Sequence, residues 1–299
     1  MEKIGVIGTG IMGSGIAKTF LSKGYSVRVF NRSPKKAEPL ARLGAVVEAT
    51  ARDVAEKCDV VFIFVWNKAA LEGVALGPDG LAAGSHRGLV ILDMSTQLPE
   101  TAEWEASLYG AKGAEFLDTP VHGSKDEANN GGLWIMAGGS RAVYDRVLPL
   151  LKVIGETQHY MGGLGKGFAT KLCGNLLVST IVAALSEALV LAQKAGIDPE
   201  EALKLWQESD FRSPVVGGVG NSICTRNFEV SFHLRTMVKD TDLIHAYAEQ
   251  IGAPLMLANS VHELNKIGLN KGFGDENASA VVKVYEDMAG VSVQGKSKK

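Results

Sequence analysis

The segment Gly8-Thr9-Gly10-Ile11-Met12-Gly13 follows the apolar run Ile4–Ile7 and precedes a stretch with helical apolar spacing. Three glycines so spaced, between a strand and a helix, form a turn that can cradle a pyrophosphate. Gly8 permits the tight turn, Gly10 lets a phosphate approach the backbone, and Gly13 lets the helix pack closely on the strand. The first turn of the helix, Ile11 and Met12, adds backbone N–H groups and a partial positive charge. The pattern alone is weak in a chain with 35 glycines. Its position inside a strand–helix–strand unit separates it from an ordinary glycine-rich turn.

The end of the second strand, Val27–Phe30, selects between dinucleotides. An acid there would accept from a ribose 2′-hydroxyl. The sequence instead reads Asn31-Arg32-Ser33, followed by Lys35 and Lys36. A guanidinium, a hydroxyl and ammonium groups without an acid match a 2′-phosphate, so NADP(H) is the expected cofactor. The plainer alternative is that these cations form a solvated helix face. A second phosphate pattern, Gly290 to Ser297 in the form G-x-x-x-x-G-K-S, lacks the strand before it and the helix after it that a phosphate loop needs. It is rejected.

Reduction of a carbonyl by a hydride also needs a proton source at the oxygen. Lys171 sits among apolar residues early in a long helical stretch, with Asn175 one turn on and on the same face. Burial costs an ammonium its hydration and shifts it toward acid–base use. A lysine on a helix is more often simply solvated, so the residue alone does not decide.

The elements that must hold these groups divide the chain in two. At 299 residues, and about 150 per domain, two domains are expected. Before residue 162 short apolar runs (Ile4–Ile7, Val27–Phe30, Val60–Val65, Leu89–Leu92, Glu115–Leu117, Leu133–Ala137) alternate with helical segments. That alternation predicts a mostly parallel sheet covered on both faces. Ser33-Pro34 and Thr50 offer helix starts. From 163 to 293 the strand signals vanish. Lys166–Lys194 reads as one helix that is apolar nearly all round and must be covered. Asp198-Pro199-Glu200-Glu201 starts another, and Met237–Ile251, Pro254–Ile267 and Ala278–Met288 follow. The expected organisation is a Rossmann-type α/β dinucleotide domain over 1–162, an all-α substrate and oligomerisation domain over 163–293 joined by the long helix, and a flexible tail over 294–299.

Composition narrows the partners. Lys and Arg number 31 and Asp and Glu 33, a net charge of −2. That balance gives no long-range pull on nucleic acid or anionic lipid. Leu172–Ala192 is long enough to span a bilayer but carries Asn175, Ser179, Thr180, Ser186 and Glu187, so a covered helix is expected instead of a membrane span. Met1-Glu2-Lys3 opens no secretory leader. Three scattered cysteines, Cys58, Cys173 and Cys224, suit a reducing cytoplasm and make no metal spacing. His86, His159, His233, His245 and His262 have no ligand spacing either, so no metal is expected.

Five motifs occur in order: Gly8–Gly13, Asp93-Met94-Ser95-Thr96, Asp118-Thr119-Pro120-Val121-His122-Gly123, Lys171 with Asn175, and Lys239-Asp240. Together they cover nearly the whole chain. In this the sequence resembles the β-hydroxyacid dehydrogenases, the group of 3-hydroxyisobutyrate dehydrogenase. Gly-Ser-Lys after His122, the Phe232–Asp240 stretch and Asn-Arg-Ser look most like the NADPH-dependent glyoxylate/succinic semialdehyde reductase branch. The resemblance implies a small carboxylate-bearing aldehyde or hydroxyacid as substrate and a homodimer or homotetramer. It implies Lys171 as general acid and Asn175 as orienting the substrate. Thr96 and Lys239 would contact the cofactor, with Val65 and Trp66 beneath it. His122, Gly123 and Ser124 would hold the substrate carboxylate, and Phe232 and Asp240 would close the site. His122 replaces the serine usual in that motif. Facing an anion, its imidazole would be held protonated. The alternatives are a non-catalytic NADP-binding sensor or adaptor, which would be expected to lose the lysine or gain a basic extension, a 3-hydroxyisobutyrate-type dehydrogenase, and an imine reductase on a similar scaffold, a group that typically lacks the lysine.

Overall fold

The computed structural model describes residues 2–295 and resolves into two compact units, one up to Lys171 and one from Leu172 onward. The division falls within the long helix, whereas strands give way to helices at Gly162.

The first unit is built on a nine-stranded sheet. Its strands are β1 (Lys3–Ile7), β2 (Ser26–Phe30), β3 (Val46–Val47), β4 (Val60–Ile63), β5 (Val90–Asp93), β6 (Glu115–Asp118), β7 (Val121–His122), β8 (Leu133–Gly139) and β9 (Gly155–Gly162). The order β3-β2-β1-β4-β5-β6 is parallel throughout. β8 then runs antiparallel to both β6 and β7, and β9 pairs parallel with β8. The unbroken apolar run in β4 is explained by its two faces: Val60 and Phe62 enter one core with Ile4, Val6 and Leu92, while Val61 and Ile63 enter the other with Ile7 and Ile91. The crevice that such a sheet offers a ligand lies beyond the carboxyl ends of β1 and β4, where strand order reverses.

Local starts follow the sequence in part. Thr50 caps its helix by accepting from Asp53 N–H at 3.0 Å, and Asp198 accepts from Glu200 N–H at 3.0 Å. Ser33 makes no side-chain cap; Pro34 opens only a 3₁₀ turn, Pro34–Lys36. β4 ends two residues earlier than the apolar run, because Val65 N–H leaves the ladder for the Ser95 hydroxyl at 3.0 Å.

The helix Lys166–Lys194 is as expected. By length and composition it could cross a membrane, but Val182, Ala183, Leu185, Leu189 and Val190 belong to the core of the second unit. That core also takes Leu203 from Pro199–Glu208, Ile223 from Pro214–Cys224, Met237 from Leu234–Ile251, Val261 from Met256–Asn270 and Tyr285 from Val282–Ala289. The expected tail is held at its start. Gln294 N–H donates to Gln193 Oε1 at 3.4 Å and Gly295 N–H to the Cys224 carbonyl at 3.1 Å. The rest of that tail, and Lys296 and Ser297 of the rejected phosphate pattern, lie outside the described residues.

Candidate active site

The glycine loop has the shape its sequence calls for. Gly8 has φ +90°, and a Cβ there would sit 2.0 Å from the Phe64 carbonyl oxygen, so only glycine fits. A Cβ on Gly13 would lie 2.0 Å from the Gly8 oxygen, which is how the helix Ile11–Ser22 comes so close to the strand. Gly10 has nothing within 4 Å of its Cβ position. The backbone there is open to a phosphate approaching the helix N-terminus.

The loop is tied to the end of β2. Gly8 N–H donates to the Phe30 carbonyl at 2.8 Å, and Thr9 N–H to Asn31 Oδ1 at 3.0 Å. Asn31 Nδ2 in turn donates to the Ser33 carbonyl at 3.0 Å. Asn31 is thus a brace, while Arg32, Ser33 and Lys36 stand exposed beside it. Across the crevice, Asp93 Oδ1 accepts from Ser95 N–H at 2.8 Å and Ser95 Oγ from Val65 N–H. This chain shapes the two loops that carry Trp66, 44% exposed, and half-buried Thr96. A cradle that excludes Cβ atoms and an open helix start fit a nicotinamide dinucleotide.

The lysine expected to transfer a proton is buried. Lys171 is 9% exposed, and its ammonium lies 3.2 Å from Nδ1 of His122 at the end of β7. The sequence had separated these two into chemistry and recognition; the structure puts them in contact. An ammonium has only donors, so Nδ1 is the acceptor and the ring proton sits on Nε2. Burial, then the Lys171 charge, push the His122 pKa down to about 3. Burial and that cation favour a neutral imidazole; the protonated ring was expected only against a bound anion. Ser124 is also differently employed. Its N–H and its hydroxyl both donate to Glu127 Oε2, at 2.7 and 2.8 Å, closing the start of the helix Lys125–Asn130 after Gly123 at φ +115°.

Asp118 has a role that motif reading missed. At the end of β6 it accepts from Gly165 N–H and Phe168 N–H, both at 2.9 Å, and so anchors the start of the helix that carries Lys171. Burial raises its pKa to about 6 against these hydrogen bonds. An acid ending an apolar strand was the available signal.

In the second unit Asn175, Lys239 and Asp240 form one group. Asn175 Nδ2 donates to Asp240 Oδ2 at 2.7 Å, and the Lys239 ammonium lies 2.7 Å from Oδ1. Asp240 is 1% exposed, so its charge is compensated from both sides. The contact fixes the Asn175 amide with its nitrogen toward Asp240 and its oxygen left as an acceptor. Phe232 stands apart from this group. It packs half-buried on the helical core, its N–H donating to Asn277 Oδ1 at 3.1 Å. Among the described residues no cluster of His, Cys, Asp and Glu could hold a metal.

Fold and site define a nicotinamide-dinucleotide oxidoreductase. Residues 3–163 match the NAD-binding domain of 6-phosphogluconate dehydrogenase, and residues 165–285 the NAD-binding domain of NADP-dependent 3-hydroxyisobutyrate dehydrogenase. The chain is 34% identical to 2-(hydroxymethyl)glutarate dehydrogenase of Eubacterium barkeri over 98% of both chains. It is 31% identical to a chloroplastic glyoxylate/succinic semialdehyde reductase of Arabidopsis thaliana, over 95% of this chain and 79% of that one. Among solved structures, a 3-hydroxyisobutyrate dehydrogenase from Salmonella typhimurium aligns with a TM-score of 0.86 at 28% identity, over 94% of this chain and 99% of that one. The chain belongs to the β-hydroxyacid dehydrogenase family and is an NAD(P)-dependent hydroxyacid dehydrogenase by class.

Proposed function

We propose that this protein reduces a small aldehyde-acid of the glyoxylate or succinic semialdehyde class to its hydroxyacid with NADPH, reversibly. The observation that carries the reading is the buried Lys171 ammonium held against a neutral His122. The reductase relative supports the substrate class. Arg32, Ser33 and Lys36, exposed where an acid would favour NAD, support the phosphorylated cofactor.

When bound, the dinucleotide supplies the hydride. Lys171 gives a proton to the carbonyl oxygen as negative charge develops there, and takes it back in the oxidative direction. His122 holds that ammonium through Nδ1 and offers its Nε2–H to the substrate carboxylate. Lys239 contacts the cofactor while paired with Asp240, and Asn175 orients the substrate. Leu177 and Leu191, 62% and 70% exposed on the long helix, suit the homo-oligomer that this reading carries.

A steady-state screen tests it. Glyoxylate, succinic semialdehyde, a branched semialdehyde and a neutral aldehyde of equal length are each offered with NADPH and with NADH. The proposal requires turnover of at least one acidic aldehyde with NADPH, well above its neutral counterpart. Equal use of the neutral aldehyde removes the carboxylate from the account, and no turnover of any removes the reaction.

A further inference from the structure

Glu105 lies in the helix Pro99–Gly110, on the face that Thr101, Ala102 and Tyr109 also bury. Glu100 and Glu103 of the same helix are exposed, but Glu105 is 0% exposed, as is Asp93 at the end of β5. Asp93 Oδ2 and Glu105 Oε2 are both buried, and the two carboxyl groups are close enough for charge and a hydrogen bond to act between them. Two carboxylates have no proton to share, so one of the pair is a carboxylic acid. Asp93 Oδ1 accepts from Ser95 N–H at 2.8 Å, which favours its ionised form. Glu105 Oε1 has only the Tyr109 hydroxyl at 3.4 Å, and among the described residues no N–H or O–H donor reaches Oε2. The proton therefore sits on Glu105. The electrostatics agree: burial, then Asp93, with Asp118 in the same sense and Tyr109 opposing, raise the Glu105 carboxyl well above the usual carboxylate range.

We propose that Glu105 is a protonated positioning residue, whose carboxylic acid donates to Asp93 and so fixes the Asp93–Ser95–Val65 hydrogen-bond chain under the two cofactor-facing loops. The chain runs from Asp93 to Ser95 N–H, and from Ser95 Oγ to Val65 N–H at 3.0 Å. It braces Val65-Trp66 and Ser95-Thr96 together. Without the shared proton, two like charges would meet in a dry site and push these loops apart. The cofactor half of this inference rests on the dinucleotide reading; the protonation half does not.

Two measurements on the full-length protein test it. The first is an infrared difference spectrum, wild type minus Glu105→Gln, at pH ~8, well above the ordinary range of a carboxylate. Asp118, raised only to about 6, is ionised there. The expected result is a carboxylic-acid carbonyl band in the wild type that shifts in deuterated water and is missing from the variant. No such band overturns the shared proton. The second is NADPH titration of both variants. Glu105→Gln keeps an N–H donor and should hold affinity within about threefold, whereas Glu105→Leu removes the donor and should weaken it by about tenfold or more. If Glu105→Leu melts lower yet binds NADPH like Glu105→Gln, Glu105 is structural only and the positioning role falls. If the band is present but the wild type binds neither NADPH nor NADH, the dinucleotide reading fails and takes the loop-bracing role with it.

Discussion

Lys171→Met should raise the His122 pKa and still leave it below that of a free imidazole. The substitution removes the charge and keeps most of the stem. Two causes, burial first and Lys171 second, lower the pKa from 6.5 to about 3. At 1.36 kcal/mol per unit that depression is worth about 5 kcal/mol. Two unit charges 3.2 Å apart would by themselves repel by about 5 kcal/mol at an effective dielectric near 20. Burial has the larger share, so Lys171 accounts for under half of the depression, and the Coulomb figure is an upper bound. The variant should titrate above the native ring and still below a free imidazole, because the burial remains. Nitrogen NMR of labelled histidine, followed as pH falls, reads both the pKa and the tautomer. The native ring should show a protonated Nε2 and an accepting Nδ1. Titration of native His122 near 6.5, a proton on Nδ1, or no change in Lys171→Met would each refute the contact.

Arg32→Asp should weaken NADPH by about 2 kcal/mol or more, since a charge-assisted bond is lost and a repulsion added, and should narrow the gap to NADH; fluorescence titration with both cofactors checks this. Because the folded His122 pKa lies below its unfolded value, its contribution to stability is full above pH ~6.5 and is lost as pH falls toward about 3. The Tm of the wild type relative to His122→Asn should therefore drop on acidification from pH ~7 to ~4, by up to a few kcal/mol in stability; a constant difference would contradict the neutral ring. Gly8→Ala should cost about 3 kcal/mol or more, because a positive φ and a 2.0 Å clash with the Phe64 carbonyl act together, and denaturant unfolding measures it.

What was legible in the sequence was whatever has a local cause. The helix Lys166–Lys194 and the Thr50 and Asp198 caps follow from apolar patterning and a single side chain each. β3 was not legible, being two exposed valines. Nor was β9: its Glu156, Thr157, Gln158 and His159 lack an apolar run because β9 pairs with β8 alone. The helix Pro214–Cys224 was hidden by Gly217, Gly218 and Gly220, poor helix formers on propensity. Gly220 is there because a Cβ would meet Leu203 at 2.4 Å, a tertiary reason that no local window contains. In the site, the glycine loop and the lone lysine could be picked out by type and spacing. The partners Lys171–His122, Asn175–Asp240 and Asp93–Glu105 lie 49, 65 and 12 positions apart, and sheet order and helix packing decide which meet. Helical period did place Glu105 on the inward face with Ala102 and Tyr109, so that residue was within reach of pattern reading.

We propose Lys171 as the proton donor of an NADPH-dependent carbonyl reduction. Single-turnover oxidation of NADPH by the best acidic aldehyde, wild type against Lys171→Ala, tests it most directly. It should be run with saturating cofactor and with NADPH affinity measured on both proteins. In Lys171→Ala the chemical step should slow by about 10²- to 10⁴-fold with NADPH affinity nearly unchanged. A variant that binds NADPH equally well and reduces the aldehyde at a near-native rate would contradict it.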